Sequence, residues 1–316
     1  MKRKRLRALD LLVYVGARAA LAVTTWLPER CAYGLAGALG RGFFRLSRRR
    51  QRHALHQLRN AYGTSRSEAE LLRLARCATG HLFQVALDMV RIGPLLARGD
   101  LLRCITNPEI VQQVPRGPAL IVSGHLGSWE VAGLVIAASG QACHAIGRRF
   151  RNPYFDRFVF GQRERGGLFV HPRRGGVRAL ARAMRGGALG LQVVDQNQRL
   201  RGVAAPWFGE LASCERAAAT LAMRLQCPIH VGATYREGNG LRFSCVLGAA
   251  IRPQPLVRGE AEVRRLVTAI NAELEKLVLA RPEQYRWIHD RSRTRPPIAA
   301  VDPGTEDDET EAETEA

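Results

Sequence analysis

PALIVSGHLGSWEVAGLVIAASG, residues 118–140, decides how the rest of the chain is read. An apolar run of strand length, Pro118–Ser123, breaks at Gly124, and helix-compatible residues begin near Ser128. A buried strand followed by a tight turn and a helix is the unit of an α/β fold. His125 sits in that turn, at the carboxyl end of a strand, where sites in open α/β sheets lie. Glu130 follows five residues later, in the first helical turn, and Gly124 and Gly127 permit the sharp backbone between them. The spacing predicts that Glu130 folds back on the imidazole, fixing its tautomer and supporting it as a general base. No Ser or Cys nucleophile stands in a recognisable elbow, so the base would activate an external hydroxyl. Amides near Gly127 are expected to stabilise the resulting oxyanion. Alone, H-x4-E reads equally well as a core histidine beside a capping glutamate.

Outward from this stretch the pattern alternates. Strand-length apolar runs fall at 143–147, 189–194, 228–235 and 241–249, with helical stretches at 128–139, 153–164, 175–185, 214–226 and 260–280. Strands alternating with helices predict an α/β fold with a mostly parallel central sheet flanked by helices. A further helix is predicted over 66–92, stopping at Gly93-Pro94.

Charge sets the partners. The 316 residues hold 48 Lys and Arg against 28 Asp and Glu, a net +20. Eight of the acids lie in the last fifteen residues, so residues 1–301 carry 48 bases against 20 acids, nearly all of the bases arginine. Such a surface expects a polyanion: nucleic acid, an anionic membrane or a phosphorylated substrate. Aromatic residues are only 6%, with no basic strand interleaved with aromatics, and neither a P-loop nor a helix-turn-helix pattern appears. No nucleic-acid partner is therefore expected. Seven scattered cysteines without CxxC or Cys/His spacing argue against a disulfide scaffold or a zinc module.

Residues 11–28 carry one charge, Arg18, in a segment that spans about 27 Å as helix. Basic residues flank it on both sides, and residues 1–59 hold fourteen bases against two acids. Residues 1–30 are thus expected to associate with an anionic membrane surface, in the interface or across it, and 31–46 to form a second interfacial helix. The main domain is expected over 31–298 and a disordered acidic tail over 299–316.

Four stretches in order extend the reading. The first is His125 through Glu130. The second is Arg148-Arg149-Phe150-Arg151-Asn152-Pro153-Tyr154-Phe155-Asp156 with Gly161-Gln162-Arg163-Glu164-Arg165. The third is Val194-Asp195-Gln196 with Ala205-Pro206-Trp207-Phe208-Gly209, and the fourth Pro282-Glu283-Gln284-Tyr285-Arg286-Trp287-Ile288-His289 through Pro296. Together they resemble the late acyltransferases of lipid A biosynthesis (lauroyl and myristoyl transferases), within the glycerolipid acyltransferase superfamily.

The resemblance implies an enzyme at the cytoplasmic face of the inner membrane. It would move an acyl chain from acyl carrier protein or acyl-CoA to a hydroxyl of a phosphorylated glycolipid, without cofactor or metal. It implies His125 and Glu130 as the catalytic dyad. Arg148, Arg163, Arg165 and Asp195 match block residues expected at substrate, the arginines toward phosphates and Asp195 pinning one of them. Cys214 and Ala217-Ala218 depart from the pattern and leave the acceptor open to another glycolipid or a lysophospholipid. A non-catalytic basic protein binding nucleic acid or membrane is the alternative from another class.

Overall fold

The computed structural model describes residues 2–257, 259–291, 293 and 294, apart from the side chains of 2–6 and 20. The predicted acidic tail and the end of the fourth block, from Arg295, lie outside them.

Four long helices open the chain: α1 (Lys2–Trp26), α2 (Glu29–Leu46), α3 (Arg48–Tyr62) and α4 (Glu68–Arg91). Pro28, which cannot donate to a continuing ladder, separates the first two. Ser67 and Glu70 form a reciprocal capping box that fixes the start of α4, a device worth about 1 kcal/mol. The residues Arg7–Trp26 are long and apolar enough to cross a membrane, and none of that stretch is buried in the protein. The helix expected over 31–46 gives one face to the protein, while Leu35, Leu39 and Leu46 stay exposed. Ala32, Tyr33, Gly37, Gly40 and Phe44 of α2 are buried, and α2 packs on α4. A Cβ on Gly40 would lie 2.6 Å from the Thr79 carbonyl, so that glycine lets the two helices touch backbone to backbone.

Two short helices follow, α5 (Gly93–Arg98) and α6 (Ile110–Gln113). As expected, α4 stops just before Gly93-Pro94, and Pro94 stands in the first turn of α5, where a residue needs no amide donor.

The remaining elements are β1 (Ala119–Ser123), α7 (Trp129–Ala137), β2 (Cys143–Gly147), α8 (Pro153–Arg165), β3 (Leu168–Pro172) and α9 (Arg173–Arg185). They continue with β4 (Leu189–Val193), β5 (Val203–Trp207), β6 (Glu210–Cys214), α10 (Ala217–Leu225), β7 (Ile229–Arg236), β8 (Phe243–Ile251) and α11 (Gly259–Ala280). The main sheet has the order β3-β2-β4-β1-β7-β8 and is parallel except for β8. The parallel α/β expectation holds. Alternation along β1 feeds two cores: Leu120 and Val122 meet Leu180, Met184 and Leu221 from α9 and α10, while Ala119 and Ile121 meet Val131, Leu134 and Val135 of α7.

β3 and the β5–β6 hairpin are absent from the sequence reading. The hairpin turns on Phe208 and Gly209, both with positive φ (46° and 78°). That is the two-residue geometry whose twist suits adjacent antiparallel strands. The predicted 214–226 helix is therefore shortened to α10, with Cys214 ending β6.

Candidate active site

Register builds the centre of the site. β1 pairs with β4 in parallel, Ser123 opposite Val193. Two residues beyond each strand end stand His125 and Asp195, side by side at the carboxyl edge of the sheet. Asp195 Oδ1 accepts from His125 Nδ1 at 2.6 Å, and its Oδ2 accepts from the His125 backbone N–H at 2.8 Å. Both are buried, His125 8% and Asp195 2% exposed. Burial opposes charge on Asp195. The His125 ring, by charge and hydrogen bond, with Arg286 and Arg291 behind it, outweighs that and holds the carboxylate far below its usual range.

An acceptor carboxylate at Nδ1 places the ring proton there and leaves Nε2 as an acceptor. Nε2 lies at the cleft, with the Gln196 amide 3.3 Å away. The Trp129 ring meets the imidazole edge-on at 4.9 Å.

The expected His125–Glu130 pair is corrected. Glu130 accepts two bonds from Arg163, at 3.0 and 2.8 Å, in a side-by-side pair, and no hydrogen bond among the described residues joins it to His125. Past the turn, α7 carries Glu130 toward α8, while β4 delivers Asp195 directly to the imidazole. Asp195 likewise pins a histidine rather than an arginine.

The oxyanion expectation near Gly127 also changes. Gly127 N–H donates to the Gln284 carbonyl at 3.0 Å and Ser128 N–H to the Thr234 carbonyl at 2.7 Å, so both amides are committed to holding the turn. Gly127 has φ +56°, and a Cβ there would collide with the Thr234 carbonyl oxygen; glycine is required on both counts. The fourth sequence block backs this turn. Besides Gln284, Arg286 N–H donates to the His125 carbonyl at 3.2 Å.

A second buried carboxylate holds the same turn from the other side. Asp88 of α4, fully buried, accepts from Tyr33 Oη and Ser128 Oγ, each at 2.7 Å, and pairs with Arg236. Sequence reading missed this group entirely.

The cleft in front of Nε2 encloses about 1330 Å³. Ile121, Ala132, Ile136, Leu168, Val170 and Leu191 make an apolar floor between α7 and the sheet, where Gly133 adds no side chain. Arg49, Arg50, Arg148, Arg173, Arg199 and Arg293 are on its lining, with no ion pair for any of them among the described residues. Arg163 and Glu130 lie between, each 15% exposed. His289, also lining the cleft, is pushed down to about 4 by burial and by Arg286, and its Nε2 accepts from Asn197 N–H at 3.4 Å. Cys214 is buried beside Arg291 and Asn271 and does not line the cleft. Arg165 does not reach the cleft either. It faces a separate cavity with Arg18. Of the expected site residues, then, His125, Asp195, Glu130, Arg163 and Arg148 converge and Arg165 stands apart. Among the described residues, no three His, Cys, Asp or Glu side chains are grouped to hold a metal ion.

Known proteins resemble this chain along nearly its whole length. It is 26% identical to the lipid A biosynthesis myristoyltransferase of Escherichia coli (strain K12) over 300 residues, covering 90% of this chain and 86% of that one. It is 26% identical to lipid A biosynthesis acyltransferase 1 of Shigella flexneri over 303 residues, with the same coverages. The 1-acyl-sn-glycerophosphate acyltransferase of Thermotoga maritima superposes with a TM-score of 0.36 at 10% identity, covering 61% of this chain and 81% of that one, too distant to carry an argument. The profile of the bacterial lipid A biosynthesis acyltransferases matches residues 2–294, and the chain, an acyltransferase, belongs to that family.

Proposed function

We propose that the enzyme transfers a fatty acyl chain from an acyl thioester, carried by acyl carrier protein or coenzyme A, to a hydroxyl of a phosphorylated lipid A precursor. The observation that carries this reading is a histidine whose Nδ1 is held by a buried carboxylate while Nε2 opens onto a cleft with an apolar floor and an arginine rim.

The chemistry follows from those groups. Nε2 of His125 takes the proton of the acceptor hydroxyl as its oxygen attacks the thioester carbonyl carbon. A C–O bond forms, and the carbonyl electrons move to oxygen. Asp195 stabilises the imidazolium that results. Arg163, aimed by its two bonds to Glu130, supplies positive charge for the oxyanion in place of the committed turn amides. Its Nη1, not bonded to Glu130, packs near Gly147, where a Cβ would come 3.5 Å away. Collapse of the intermediate breaks the C–S bond, and the imidazolium returns its proton to the departing thiolate. The apolar floor accepts the acyl chain, and rim arginines such as Arg148 take the phosphates. The exposed apolar residues of α1 and the basic segment around α3 hold the cleft at the cytoplasmic face of the inner membrane.

The test is purified enzyme with acyl thioesters of both carriers and a phosphorylated lipid A precursor, read by thiol release and by the mass of the acylated lipid. His125→Ala should lower transfer by about 10²–10⁴-fold with the fold intact. Undiminished transfer by that variant would rule out the proposed base.

A further inference from the structure

The second cavity lies under α1, where that helix meets α8 and the start of α5, and encloses about 330 Å³. No residue lines both it and the active-site cleft. Arg18 enters from α1 and Arg165 from the last turn of α8, over a wall that includes Val90, Pro94 and Phe158. No acid lines this cavity, and neither arginine has a carboxylate partner among the described residues.

Both guanidinium groups nevertheless have fixed surroundings. Arg18 stacks 4.1 Å from the centroid of the Phe158 ring, and Arg165 Nη1 donates to Gln162 Oε1 at 3.3 Å. Gln162 is itself buried and donates to the Met89 carbonyl. Two oriented, uncompensated arginines around one small cavity with an otherwise largely apolar wall are an arrangement suited to an anion that carries apolar groups.

The helix says where the anion comes from. Arg18 is the one charge in residues 11–28. Tyr14, on the same side of α1, stacks on Tyr154 and meets Phe155 of α8 edge-on, while Leu12, Val15, Val23 and Trp26 are exposed on the other. An arginine within an apolar, membrane-compatible helix is costly unless its charge is met, and here it turns inward, toward the cavity. We propose that this cavity binds the phosphate of a membrane phospholipid, whose acyl chains run along the exposed apolar residues of α1. The lipid would cement α1 to α8, and the site is separate from acyl transfer.

Native mass spectrometry of the full chain in nonionic detergent, with phosphatidylglycerol added, tests this. Wild type should retain one phosphatidylglycerol, and millimolar inorganic phosphate should not displace it, since the apolar contacts would be missing from the free ion. Arg18→Gln with Arg165→Gln should reduce the bound fraction by about tenfold or more. Arg116→Gln with Arg224→Gln, exposed arginines outside both cavities, should retain the lipid as wild type does. Arg18→Lys with Arg165→Lys should keep part of the binding, which separates lost charge from lost packing. No retained lipid on wild type, or equal retention by the double glutamine variant, would overturn the site. So would a double variant that keeps phosphatidylglycerol but shows a raised KM for the acceptor, since the cavity would then serve the substrate. Lipid retention is read without turnover, so failure of the proposed reaction leaves the result interpretable.

Discussion

Two buried aspartates grip the same turn, and they do different work. Asp195 comes from the sheet and holds His125; Asp88 comes from α4 and holds Ser128, three residues on. Each is satisfied by several donors in a place that water does not reach. All partners of Asp88 are themselves interior: Tyr33, Ser128 and Arg236, the last also donating to the Gly240 carbonyl at 2.6 Å. It is a clamp between the opening helices and the sheet. The partner of Asp195 presents its far nitrogen to the cleft. The same hydrogen-bonding physics gives an interior tie in one case and, in the other, a histidine with one nitrogen at the cleft, the one proposed as the base; what separates them is whether one edge of the network stays open.

Exchanging each carboxylate for its amide breaks the comparison in opposite ways. Asp195→Asn offers Nδ1 a donor as readily as an acceptor, which favours the tautomer with its proton on Nε2 and removes the base. A loss of about 10²–10⁴-fold in kcat is expected, with circular dichroism unchanged. Asp88→Asn leaves Arg236 buried without its counter-charge. Breaking such a pair costs about 3–5 kcal/mol, on the order of 10 °C in Tm for a chain of this size. The folded fraction of that variant should turn over nearly as wild type. Were Asp88→Asn instead to abolish kcat at an unchanged Tm, the clamp would be acting on the chemistry and the distinction would fall.

The Glu130–Arg163 pair sharpens the same point with a smaller effect. Glu130→Gln keeps size but loses the charge-assisted bidentate contact that aims Arg163, and about 10–100-fold in kcat is expected, with less change in KM. In the proposed mechanism Arg163 serves the oxyanion and Asp195 the imidazole, so the effect should persist in an Asp195→Asn background. A double variant no worse than Asp195→Asn alone would return Glu130 to the dyad.

The ordering of strands and helices was legible because each buried strand of this sheet is a short apolar run punctuated by Gly or Pro. β3 escaped, its inward Leu168 and Val170 alternating with exposed Phe169 and with His171, which pairs with His144. The hairpin escaped because Phe208, a residue that rarely takes positive φ, sits in its turn. At the site, His125 was legible from local pattern, since the strand-turn-helix that exposes it lies within a dozen residues. Its carboxylate was not. The pairing of Ser123 with Val193 sets that partner across seventy residues, whereas spacing along the chain offered the nearer Glu130. A sequence signal did exist: Val194-Asp195 ends a buried strand just as Gly124-His125 does, and acids and bases at equivalent strand ends meet in a parallel sheet. Arg236 and Asp88 belong to elements read only as apolar periodicity, so nothing local announced the clamp.

Acid sensitivity separates the two regions once more, by the smallest expected effect. His81 of α4 is buried, its Nε2 unpartnered among the described residues. Burial, with Arg236 adding repulsion, pushes its pKa down to about 3. In the unfolded chain a histidine titrates near 6.5. Between those values the unfolded state binds the extra proton, so stability falls as pH drops from about 6.5 toward 3, with a slope of up to about 1.4 kcal/mol per pH unit for one such group. His289, held at about 4 in the cleft, adds a similar loss over most of that window. Asp195, depressed instead, gives stability that is fully present above about pH 4 and is lost only below it. His81→Met fills comparable volume with a side chain that does not titrate. Denaturant melts of that variant between pH 6 and 4.5 should lose stability with a slope smaller by about one proton, leaving the share of His289. An unchanged slope would mean that His81 is already protonated in the native protein, with a counter-charge drawn from Asp88, and the clamp would then not be closed.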